Sequence, residues 1–127
     1  MTAPPEHPAW TVLLAGQGAA PAEVGGKAAA LDRLIALGEP VPAAGVVTTD
    51  AYRAFVADPH LAALLERLRR EPVPPPGEQE ASRREVEAAF LGAPLSPGIE
   101  LSLRRLAGDV GGGARLAVRS SATAEDL

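Results

Sequence analysis

Proline and glycine, thirteen of each, punctuate this 127-residue chain so densely that no apolar run approaches the roughly 18 residues of a membrane helix. What lies between the breaks reads as short helices and strands. Their interior is thin. Alanine occurs 26 times, whereas sixteen Leu, ten Val, two Ile and two Phe are all the large aliphatic and phenyl side chains available. That share is still above the level at which disorder sets in, and the length leaves room for one domain.

Charge and reactive side chains narrow the function classes. Twelve basic residues stand against sixteen acidic ones, for a net charge of −4, and no stripe of one sign dominates, so neither nucleic acid nor a membrane is expected as a partner. The absence of cysteine excludes disulfides, thiolate ligands and cysteine nucleophiles. The two histidines, His7 and His60, are far apart, so no metal site is expected from them. Met1 to Trp10 has neither the basic start nor the apolar stretch of an export signal, which makes a cytoplasmic setting the expectation.

Local patterns predict an α+β chain with a small sheet of about three strands flanked by helices. Thr11 to Leu14 reads as a strand running into the loop Gly16-Gln17-Gly18. Val24, Ala28, Leu31 and Ile35 recur at helical spacing and predict a helix over about Lys27 to Leu37, stopped by Gly38 and Pro40. Gly45 to Thr48 reads as a second strand, followed by a helix capped by Thr49 or Asp50. Asp58 and Pro59 are N-cap and first residue of a further helix with Leu61, Leu64, Leu65 and Leu68 along one face. The four prolines of Glu71 to Glu80 predict an extended loop within the domain, after which Ser82 and Glu85 form a capping box for the next helix. Ser96 and Pro97 open another, carrying Ile99, Leu103, Leu106 and Val110 and ended by Gly111, Gly112 and Gly113. Arg115 to Arg119 alternates as a strand should, and Ser120 to Leu127 reads as a helix start whose Glu125 and Asp126 suit the dipole.

Two nucleotide-binding patterns fail on Pro21. A P-loop ending at Gly26-Lys27 needs glycine there and a hydroxyl where Ala28 stands, and a dinucleotide fingerprint starting at Gly16 needs its third glycine there. What remains is Gly25-Gly26-Lys27, with the chain's single lysine at a helix start. Glycines admit an anion to the backbone, helix amides point at it, and the ammonium adds charge. The other reading is a tight turn with a solvated lysine. A second constellation, Arg119-Ser120-Ser121, joins a guanidinium to hydroxyls at a turn. It offers a fork for phosphate oxygens or an ordinary turn with a surface ion pair.

Together, the blocks from Val24 to Phe55 (VGGKAAALDRLIALGEPVPAAGVVTTDAYRAF) and from Leu116 to Leu127 (LAVRSSATAEDL) resemble the N-terminal ATP-binding domain shared by phosphoenolpyruvate synthase, pyruvate phosphate dikinase and rifampicin phosphotransferase. The resemblance is strong in those blocks and weak from Pro59 to Gly113. It implies the first lobe of an ATP-grasp domain, with Lys27 and Arg119 on the ATP phosphates and Gly25, Gly26, Ser120 and Ser121 as neighbours. No residue is assigned a catalytic or metal-binding role. The resemblance also implies phosphoryl transfer to a histidine on a separate domain, with magnesium ligands in a second lobe beyond Leu127, so the chain is expected to be inactive alone. A cut sheet margin at Leu116 to Val118 is expected to favour self-association. A regulatory or remnant binding module, and a small helical interaction module using the leucine stripe, are the competing readings.

Overall fold

The computed structural model describes residues 9–123. In chain order the elements are β1 (Thr11–Leu13), α1 (Pro21–Val24), α2 (Gly26–Ala36), β2 (Gly45–Val47), α3 (Thr49–Val56), α4 (Pro59–Arg70), α5 (Pro76–Gly92) and α6 (Pro97–Gly111). The described residues fall into two compact units, 9–52 with 97–123 and 53–96, the division falling within α3.

The first unit is built on an antiparallel pair in which Thr11 faces Val47, Val12 faces Val46 and Leu13 faces Gly45. Alternation sends successive residues of a strand to opposite faces and paired residues to the same face. Val12 and Val46 pack on the cluster of Leu14, Val24, Ala28 and Ala29, which brings α1 and α2 to one face. On the other face Gly45 abuts Leu106 of α6, whose side chain occupies the space a Cβ would need. A thin sheet is thus covered on both sides, and the small alanines of α2 are what let it lie close.

In the second unit, Asp58 caps α4 by accepting the Leu61 N–H at 3.1 Å, Pro59 occupies the first turn, and Leu61 and Leu64 are buried. The leucine stripe therefore supplies interior positions. Phe55 and Phe90 meet at 5.9 Å between ring centres in a tilted arrangement, and Arg67 of α4 pairs with Glu85 of α5.

Several expectations are corrected. The sheet has two strands among the described residues, because residues 115–122 have no regular secondary structure and the alternation in Arg115 to Arg119 finds no ladder partner. The proline-rich loop closes by residue 75, since α5 starts at Pro76, a position where a missing N–H costs nothing. Ser82 and Glu85 consequently lie inside α5 and cap nothing. The cap of α3 is Thr48, whose hydroxyl accepts the Ala51 N–H at 3.3 Å, while Thr49 donates to the Ala22 carbonyl at 2.8 Å. The short helix α1 was not foreseen, and the helix expected from Ser120 onward is absent through residue 123, its remainder, with Glu125 and Asp126, lying outside the described residues. No helix among the described residues is long and apolar enough to cross a membrane.

Candidate functional site

The site forms where α1 ends and α2 begins. Gly25 serves both helices: its N–H closes α1 on the Pro21 carbonyl at 2.8 Å, and its own carbonyl accepts the Ala29 N–H at 3.1 Å. To do so it takes φ +84° and ψ 165°, a conformation open to glycine and strained for any other residue. A helix start leaves amides without partners inside the helix, and a glycine N-cap has no side chain to serve them.

Ser121 serves them from the far end of the chain. Its hydroxyl accepts the Ala28 N–H at 3.1 Å and donates to the Val24 carbonyl at 2.8 Å, while the Ala122 carbonyl accepts the Gly26 N–H at 3.1 Å. The Ala28 bond is the one a serine N-cap would make within its own helix, supplied here from 93 residues away. Gly25 is buried beneath it, and a Cβ at that position would collide with the Ser121 backbone and hydroxyl. What comes close to the glycine is the protein's own Ser121, which amends the expectation that the glycine pair and the helix amides together leave room for an anion: the amides of Gly26 and Ala28 are engaged internally.

The structure thus brings Gly25, Gly26, Lys27 and Ser121 to one corner. Arg119 and Ser120 are on the same segment immediately before Ser121, and Lys27, Arg119 and Ser120 are exposed.

Sequence reasoning missed Asp32. Its carboxylate is 1% exposed and accepts the N–H groups of Gly16 at 2.9 Å, Gly18 at 2.8 Å and Ala19 at 2.9 Å. These bonds, led by that from Ala19 and opposed by burial, hold the carboxyl below the usual range. The loop Gly16-Gln17-Gly18 is therefore an anion-binding turn whose anion is internal, a physical reason why it is not a dinucleotide site. The available signal was a charged residue four positions after Ala28: Asp32 takes the buried face of α2, whereas Leu31, placed there by spacing, is 37% exposed.

Comparison with known proteins bears on what this corner holds. Residues 21–127 match the family of the pyruvate phosphate dikinase AMP/ATP-binding domain. The chain belongs to this family. Among curated relatives, a phosphoenolpyruvate synthase of Aeropyrum pernix is 39% identical over 111 residues, covering 82% of this chain and 14% of that protein. A rifampicin phosphotransferase of Streptomyces sviceus is 45% identical over 115 residues, covering 84% of this chain and 12% of that protein. The prodigiosin-synthesizing transferase PigC of Serratia marcescens is 39% identical over 106 residues, covering 84% and 10%. The chain spans no more than 14% of the length of these relatives. No solved structure matches it. The family match takes in both blocks that meet at the start of α2.

Proposed function

We propose that the chain binds the phosphates of ATP as the first lobe of an ATP-grasp domain, in a dikinase-like phosphotransferase that passes a phosphoryl group to a histidine on a separate domain. The observation that carries the reading is the 3.1 Å bond from the Ala28 N–H to Ser121, which joins the lysine-bearing and arginine-bearing motifs of an AMP/ATP-binding family at one corner. Lys27 projects from the first turn of an eleven-residue helix, where the positive end of the helix dipole favours anions. Arg119 adds a planar fork suited to two phosphate oxygens.

With Gly26 and Ala28 N–H groups engaged, phosphate contact at this corner falls to side-chain cations and the exposed Ser120 rather than to a backbone nest. Cations fixed before the reaction stabilise charge that develops on the transferring phosphoryl group. Among the described residues no three acidic or histidine side chains gather to hold a cation, and no magnesium ligand is assigned to them.

Titration with ATP, ADP and AMP tests this reading. Affinity is expected to fall as phosphates are removed, and Lys27→Ala and Arg119→Ala are each expected to weaken ATP about tenfold to a hundredfold while leaving AMP unchanged. Equal affinity for ATP and AMP, or variants that bind ATP as the parent does, contradicts it.

A further inference from the structure

We propose that Ser121 is a positioning residue, a distant cap of α2 that fixes the Arg119 segment against the helix bearing Lys27; this rests on the ATP reading above. The hydroxyl of Ser121 uses its proton on the Val24 carbonyl and a lone pair on the Ala28 N–H, which fixes its rotation. Its one proton is thus already committed, and its role is to hold rather than to touch phosphate. The Ala122 carbonyl adds a third attachment through the Gly26 N–H. These bonds straddle Lys27, whose neighbours on both sides donate to the 121–122 pair. Arg119 is two residues from the attachment, in a stretch without helix or strand to hold it.

The same geometry makes Gly25 the partner in this device. A side chain there would take the place of Ser121, so a glycine N-cap and a remote serine substitute together for an ordinary serine cap. An ordinary cap would stabilise α2 equally well but without the two hydroxyl bonds that tie Ser121 to it. The remote cap ties formation of the helix start to the placement of the second motif, which keeps both cations in register for one ligand.

Two measurements test the proposal. In ATP titrations, Arg119→Ala is expected to weaken binding about tenfold or more in the parent, but about threefold or less in a Ser121→Ala background, where Arg119 is already out of place; Lys27→Ala keeps its full effect in both. Ser121→Thr, which retains the hydroxyl, is expected to restore most of the coupling. The second needs no nucleotide. The chain has no cysteine, so spin labels on cysteines introduced at positions 27 and 119 report their separation alone. The distance distribution is expected to be narrow with serine or threonine at 121 and broad with alanine. Equal penalties for Arg119→Ala with and without the Ser121 hydroxyl, or an unchanged distribution in Ser121→Ala, overturns the positioning role. A parent chain that binds no ATP but shows the narrow and broadened distributions overturns the ATP reading and retains the placement.

Discussion

Asp32 and Ala19 are joined by a 2.9 Å hydrogen bond from the Ala19 N–H to a carboxylate that lies almost wholly inside the protein. With the bonds from Gly16 and Gly18, it makes a buried charge the anchor of the loop between β1 and α1. Asp32→Asn keeps the shape but turns an amide N–H₂ toward a loop donor. Thermal unfolding is expected to fall by about 5 °C or more for Asp32→Asn, and further for Asp32→Ala. An unchanged melting point in either variant contradicts the anchoring role.

The same carboxylate predicts an acid dependence with a definite sign. Its folded-state pKa is depressed, so between that value and the ordinary aspartate value of about 3.9 the unfolded chain binds more protons and stability rises with pH. The contribution is fully present above the ordinary value and is lost as pH falls through the depressed one. Glu80, lowered by Arg83, acts in the same direction, but that pair is exposed and screened. Denaturant unfolding between pH 6 and pH 2 is expected to show a steeper acid loss in the parent than in Asp32→Asn; parallel curves contradict it.

Gly25 and Gly18 separate crowding from backbone strain. Both have positive φ, +84° and +82°, but a Cβ at Gly18 meets nothing within 4 Å, whereas one at Gly25 meets Ser121. Gly18→Ala is expected to cost about 1 kcal/mol, and Gly25→Ala about 2 kcal/mol or more with loss of ATP affinity. Equal costs in chemical denaturation argue against the close approach of Ser121.

How much of this was legible in the sequence depends on how far each contact reaches. The α4 start was readable because Asp58, Pro59 and Leu61 act within one turn, and α2 and α6 were readable from periodicity. The start of α5 is hidden among four prolines that read as helix breakers, although Pro76 occupies a first-turn position and the other three precede it. The strand expected at Arg115 to Arg119 has the right alternation, but a strand needs a partner, and pairing is not written in the segment itself. At the site, Gly25 and Lys27 stood out locally. That Ser121 caps the helix Gly25 opens, and that Asp32 fills the Gly16 loop, depend on hydrogen bonds spanning 93 and 16 residues, which composition and spacing do not encode.

Asp58 provides a control away from the nucleotide corner. Asp58→Ala removes the α4 cap and is expected to cost about 1 kcal/mol, read by denaturant unfolding, with ATP affinity unchanged. A loss of ATP binding at undiminished stability contradicts the assignment of nucleotide contacts to Lys27 and Arg119.

The most direct test of the central claim, that two distant motifs make one phosphate site, is amide NMR of the labelled chain during titration with ATP. Shifts are expected to change together, with one dissociation constant, at residues 25–29 and 119–122, and to stay small along α4 and α5. Changes confined to one motif, or centred on α4 and α5, would contradict a shared site at the start of α2.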